Sequence, residues 1–404
     1  MTVWDRLVGQ DAAVRVLTEA AGAARLLATG TAAGPATGAM TPAWLLTGPA
    51  GSGRSTAALA FAAALQCESS GPPGCGACAG CRAVLAGNSP DVLVLRPEGT
   101  SIAIKDVRAL VMEAARAPVN GAWRVVVVED ADRLVRGTDD RNANVLLKSI
   151  EEPAPATVFL LCAPSPVDVP ATILSRCRAL NMLTPSAEAV AALLRSEGVE
   201  ESVAAFASAA AQGHIGRARR LASDDGARQR RSDVLRLPAR LGTPAGAIAA
   251  AGDLVRAANE EAESSTTERH AAERGELERQ LGVDTAPGAP KQRGGAARAA
   301  GAAVRELERT QKSRGTRAQR DALDRALVDL AALYRDVLLA QLAPGVAAPA
   351  HPDLGEMVRR VAQADRPERT LQRLEAVLET RQQLIDTPGL QAQLAVEALA
   401  LRLV

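Results

Sequence analysis

The chain has 404 residues, enough for two or three domains that each bury their own core, which excludes a single small module. With 47 Lys and Arg against 46 Asp and Glu the net charge is +1, so the whole molecule does not attract a polyanion and any nucleic-acid contact has to be local. Aromatic residues are 2% of the chain, too few and too dispersed (Trp44, Trp123, Tyr334) for a base-stacking platform, and no eighteen apolar residues run together. The N-terminal MTVWDRLVGQ has charges and no apolar core, so the expectation is a soluble cytoplasmic protein with no membrane segment.

In chain order, four short Val- and Leu-rich runs, WLLTG, DVLVL, RVVVVED and TVFLLCA, alternate with helix-length segments up to about residue 180. Continuous apolar runs of this length predict a parallel sheet buried on both faces, an α/β domain. Residues 185 to about 222 predict short Ala-rich helices broken at Gly213–Gly216. Beyond about 230, stretches such as RDALDRALVDLAALYRDVLLAQL place apolar residues at helical spacing. Within this helical region residues 259 to about 318 are polar, charged and interrupted by GAPKQRGGAARAAG, which predicts a flexible excursion.

The first run leads into GPAGSGRST, with Gly48, Gly53, Arg54 and Ser55 in the places of a phosphate-binding loop and Thr56 following. Such a loop wraps phosphates with backbone N–H groups at a helix N-terminus, while lysine reaches the terminal phosphates and Ser or Thr binds Mg2+. Arg54 stands where lysine belongs, and a planar guanidinium cannot place one compact charge at the same point. The companion acids follow RVVVV as Glu129 and Asp130, in the order opposite to the usual Asp-Glu, so the shorter side chain stands where the longer one reaches the attacking water. Acids that simply cap a strand are the alternative.

CESSGPPGCGACAGC carries Cys67, Cys75, Cys78 and Cys81. Two overlapping CxxC spacings plus one upstream cysteine suit four thiolates around Zn2+, with no position left open, hence a structural site. Disulfides would require an oxidising compartment. Cys162, inside TVFLLCA, is expected to be core. In GTSIAIKDVRALVMEAA, Ser101, Lys105 and Arg108 stand near a predicted helix start and are candidates to hold DNA phosphates without reading sequence. Pairing of Arg108 with Asp106 or a neighbouring subunit is the other reading.

Taken together, VWDRLVGQDAAVRVL, GPAGSGRST, the four-cysteine insert, RVVVVEDADRL, NANVLLKSIEEP, TVFLLCAPSPVDVPATILSRCR and the GxxG turn resemble the bacterial clamp-loader ATPase family of DNA polymerase III, its delta-prime branch most closely. The resemblance covers roughly residues 1–225. It implies an α/β AAA+ module at 1–182 with the zinc insert at 67–81, a small helical lid at 183–226, and a C-terminal all-α collar at 227–404 carrying the 259–318 excursion. It further implies a five-membered ring with gamma/tau and delta subunits, which opens the sliding clamp and places it on primed DNA. Polymerase (nucleotidyltransferase) activity would belong to the holoenzyme.

In that family the arginine of the SRC motif, here Arg176 in Ser175-Arg176-Cys177, acts in trans as an arginine finger on the neighbour's ATP. Catalytic members also carry a nucleotide-sensing arginine in the lid, and in GHIGRARR that position falls on Gly216, with Arg217 about 100° further round the helix. Arg54, the Glu129-Asp130 order and Gly216 together imply a subunit that does not hydrolyse ATP. Whether ATP or ADP with Mg2+ still binds is left open, and a gamma/tau-type hydrolysing subunit is the alternative.

Overall fold

A computed structural model describes residues 2–30, 38–135, 141–281, 295–346, 349–387 and 389–404. By its internal contacts the chain divides into two units, Met1–Pro97 with Ser101–Asp225, and Glu98–Thr100 with Gly226–Val404.

In the first unit the apolar runs form β1 (Ala43–Thr47), β2 (Val92–Leu95), β3 (Arg124–Val128) and β4 (Thr157–Ala163), joined by β5 (Arg178–Asn181). All pair in parallel, in the order β2-β3-β4-β1-β5. Every residue of β1, β3 and β4 is buried, as expected of strands covered on both faces. Because side chains alternate along a strand, the central strands supply two cores. Trp44, Leu46, Val125, Val127, Leu160 and Cys162 pack with α1 (Asp11–Ala28), α2 (Arg54–Leu65) and α3 (Ala79–Leu85). Ala43, Leu45, Val126, Val128, Phe159 and Leu161 pack with α4 (Ile104–Ala114), α5 (Arg141–Glu151) and α6 (Ala171–Leu174).

β5 has no apolar run; of its four residues only Leu180 is buried. Its position comes from pairing with β1, from Trp44 opposite Arg178 to Thr47 opposite Asn181. The Arg178 guanidinium carbon lies 4.8 Å over the Trp44 ring. A partly solvated edge strand of this kind carries little hydrophobic signal.

At the other side of the sheet Asp91, 1% exposed, accepts the N–H groups of Val119 (2.6 Å), Asn120 (2.8 Å) and Gly121 (2.7 Å) and lies 3.6 Å from the buried Arg124 guanidinium. Burial opposes its charge, but those donors and Arg124 outweigh it and hold the carboxyl below its ordinary value.

Three helices complete this unit: α7 (Ala187–Ser196), α8 (Glu201–Ala211) and α9 (Ile215–Ser223). Each starts with a side-chain cap, Ser186 accepting from the Ala189 N–H, Glu200 from Ser202 and Val203, and His214 from Arg217.

The second unit is all helical: α10 (Asp225–Leu235, its first residue in the first unit), α11 (Pro244–Leu281), α12 (Gly295–Leu342), α13 (Gly355–Ala364), α14 (Pro367–Asp386) and α15 (Ala392–Leu403). Its core draws Leu254 and Val255 from α11, Leu323, Leu327 and Tyr334 from α12, Val377 from α14 and Val396 and Leu399 from α15. The flexible excursion expected at 259–318 is corrected here: residues 259–281 continue α11 and 295–318 belong to α12, while 282–294 lie outside the described residues. The physical reason is charge pairing across the two helices. Glu273 of α11 accepts from Arg314 (2.9 Å) and Gln311 (3.4 Å) of α12, while Ala262 and Thr266 are buried. None of the described helices is long and apolar enough to cross a membrane.

Candidate functional site: a phosphate loop, a four-cysteine cluster and an outward arginine

The loop between β1 and α2 turns on glycines. Gly48 has φ 148°, and a Cβ there would stand 2.5 Å from the Met182 carbonyl oxygen. Gly51 has φ 83°, and its Cβ would stand 2.5 Å from the Cα of His214, the capping residue of α9. Only glycine fits either position without moving the backbone. Gln10, 2% exposed, ties this loop to the chain leaving β5: its Nε2 donates to the carbonyls of Ser52 (3.1 Å) and Leu183 (2.6 Å), and its Oε1 accepts the Leu183 N–H (3.0 Å).

Arg54 is the first residue of α2, with Gly53 before it and half-buried Ser55 and Thr56 after it. The expected loop and acids are brought together, since the Arg54 charge acts on both Asp132 and Cys162, and Cys162 also feels Glu129 and Asp130. Three buried polar atoms here, Arg54 Nη1, Ser52 Oγ and Asp132 Oδ1, have no hydrogen-bond partner among the described residues. Burial, and then the charge of Asp130, raises the Asp132 carboxyl. Burial pushes the Cys162 thiol up to about 12, consistent with its expected place in the core. Glu129 is engaged by Arg96 (3.1 Å), and Asp130, in the left-handed region at φ 49°, lies 3.6 Å from Arg133. Gly216 is the second residue of α9 and Arg217 follows it, its backbone N–H given to His214 Nδ1 (3.2 Å).

The sulfur atoms of Cys67, Cys75, Cys78 and Cys81 all lie within 4.8 Å of one another. Cys75 Sγ accepts the N–H of Cys78 (3.3 Å), and Cys78 Sγ accepts that of Cys81 (3.4 Å). Burial opposes thiolate at Cys67, but the N–H groups of Cys75, Ser69 and Gly74 outweigh it and bring the thiol to about 6. Burial raises Cys81 instead. Four soft donors this close, with N–H groups aimed at sulfur, suit a tetrahedral metal such as zinc. The cluster is braced by residues distant in sequence that its cysteine spacing does not reveal. Arg25 donates to the carbonyls of Gly71 (2.6 Å) and Cys67 (3.3 Å), Trp4 Nε1 to Pro73 O (3.1 Å), and the Val3 N–H to Gly74 O (2.9 Å).

Lys105 and Arg108 are exposed on α4, opposite its buried face of Val107, Leu110 and Ala114, with half-buried Ser101 in the segment before the helix. The α4 N-cap is Ala103, which offers no side-chain acceptor. Arg176 follows α6 and is 41% exposed, with Nε 2.5 Å from Glu151 at the end of α5; its Nη1 donates to Thr172 O and Ser175 Oγ, both at 3.0 Å.

The family match covers the stretch that carries the glycine loop and the cysteine cluster. Residues 32–186 match the DNA polymerase III, delta subunit family. The chain is 38% identical over 145 residues to DNA polymerase III subunit delta' of Haemophilus influenzae, covering 35% of this chain and 43% of that protein. Against the Pseudomonas aeruginosa subunit delta' it is 40% identical over 138 residues, 33% of this chain and 41% of the relative. DNA polymerase III subunit tau/gamma of H. influenzae is 31% identical over 181 residues, 43% of this chain and 25% of its own. The matched stretch thus spans about two fifths of the delta' relatives. Among solved structures, a gamma subunit-related protein of Thermotoga maritima overlaps 89% of this chain and 94% of its own at 16% identity and a TM-score of 0.37.

Proposed function

We propose that this chain is a delta-prime-like clamp-loader subunit that does not hydrolyse ATP and lends Arg176 to the ATP of a neighbouring gamma/tau subunit. The observation that carries the reading is an intact glycine cradle whose chemical side chains are altered. Arg54 opens α2 in place of lysine, and Glu129 is paired with Arg96. In the ring, Arg176 neutralises charge developing on the γ-phosphate; its own loop serves as a scaffold. Zn2+ held by Cys67, Cys75, Cys78 and Cys81 stiffens the segment directly after α2. Delta and gamma/tau subunits, the sliding clamp and primed DNA are the proposed partners, in the cytoplasm, with Lys105 and Arg108 as phosphate contacts.

The test is ATP turnover by the isolated chain and by the reconstituted complex. The isolated chain should have none, and Arg176→Ala should leave assembly intact while lowering turnover of the complex. A second reading, a hydrolysing subunit, is favoured by the retained glycine cradle and the likeness to tau/gamma. It requires turnover by the isolated chain that Arg54→Ala abolishes.

A further inference from the structure

We infer that Glu151 is a positioning residue for Arg176, presetting the guanidinium before the neighbouring subunit arrives; this rests on the arginine-finger reading above. Arginine has a long flexible stem and five N–H donors, so an exposed one ordinarily samples many rotamers. Arg176 is restrained from two sides. Glu151 Oε1 stands 2.5 Å from Nε, and Nη1 donates to Thr172 O and to Ser175 Oγ, each at 3.0 Å. Ser175 is itself held, its Oγ donating to Thr172 O at 3.1 Å. Nη2 makes no hydrogen bond among the described residues, which leaves one corner of the fork for an incoming phosphate oxygen.

Both partners are about two-fifths exposed, 41% and 42%, so the pair is screened by water and contributes little to folding. What it supplies is geometry: Glu151 closes α5 and Arg176 follows α6, so two elements packed on the same face of the sheet hold one guanidinium. Ordering a side chain before association removes an entropic cost that would otherwise fall on the assembled, reacting state. Thr172 O and Ser175 Oγ lie within four residues of Arg176 and move with it, whereas Glu151 ties it to a second helix.

The test uses the full chain reconstituted with its gamma/tau and delta subunits, ATP, sliding clamp and primed DNA. Glu151→Ala is expected to lower kcat about threefold with KM unchanged, and Glu151→Gln, which keeps an acceptor, to lose less. In an Arg176→Ala background Glu151→Ala should cost nothing further, a non-additivity that a merely structural residue would not produce. Thermal unfolding of each isolated variant should be unchanged. If Arg176→Ala lowers turnover and Glu151→Ala does not, or if Glu151→Ala raises it, the positioning role is overturned while the finger stands. If Arg176→Ala has no effect, the finger reading fails and the role of Glu151 with it.

Discussion

His214, the cap of α9, lies directly against Gly51 of the glycine loop between β1 and α2, so that a Cβ on Gly51 would stand 2.5 Å from the His214 Cα. The contact is backbone against backbone, which no rotamer change relieves, and Gly51 is in addition left-handed at φ 83°. Gly51→Ala is therefore expected to destabilise the first unit by about 2 kcal/mol or more, read by chemical denaturation. Gly252→Ala, in α11 with nothing near its Cβ, should instead stabilise by about 0.5–1 kcal/mol. Equal effects of the two would dissociate the Gly51–His214 contact from stability.

Metal analysis of the purified chain should give about one zinc per molecule. Cys78→Ser replaces a thiolate ligand by a hydroxyl that still caps α3 by accepting the Cys81 N–H, so it should lose the metal and lower the melting temperature through the metal alone. A metal-free chain with unchanged melting would refute the zinc assignment.

The Asp91 carboxylate carries three N–H bonds and faces Arg124 at 3.6 Å with both nearly inaccessible. Asp91→Ala leaves three buried donors uncompensated and takes the nearest carboxylate from one side of Arg124, which keeps Glu113 at 3.4 Å and the Pro90 carbonyl. It is expected to cost about 3–5 kcal/mol of stability in urea titrations. A loss under 1 kcal/mol would mean that water takes over these partners.

Acidification should weaken the helical unit through its histidines. His351, 0% exposed, has Nδ1 2.8 Å from the Arg231 guanidinium and Nε2 3.1 Å from Asp329 O. Arginine only donates, so Nδ1 is the acceptor and the ring is neutral, its N–H on Nε2. Burial, and then Arg231, lowers its pKa below the usual 6.5, and burial with Arg314 lowers His270 likewise. Below about pH 6.5 the unfolded chain takes a proton that the folded one refuses, so stability falls with pH, by at most about 1.4 kcal/mol per unit per group. Denaturation midpoints between pH 7.5 and 5.5 should show this slope, flattened in His351→Gln. The depressed carboxyls of Asp353 and Glu273 add loss in the same direction from about pH 5 downward, where the unfolded chain binds protons that the folded one takes up only at lower pH.

Several features were legible because their physics is local. β1, β3 and β4 are covered on both faces, which leaves no alternating polar residue to blur their apolar runs. The four cysteines lie within fifteen residues, so spacing alone brings their sulfurs together. Polarity misread residues 259–281 and 295–318 as flexible, because it registers charges as solvated and not the cross-helix pairing of Glu273 with Arg314. β5 escaped notice because strand pairing, not burial, defines it.

By itself the sequence determined the parallel-sheet class, the glycine loop with Arg54 in it, the cysteine set and the helical C-terminal half. Each depends on periodicity or on spacing within one element. Only the tertiary structure decided what holds these parts. Gln10 reaches Leu183 across 173 positions, Trp4 reaches Pro73 across 69, and Arg25 reaches Gly71 across 46. A hydrogen bond between distant residues depends on where two elements dock, and no local pattern encodes that placement. The same is true of Arg176: its motif is written in three residues, but the carboxylate beside it comes from the end of another helix.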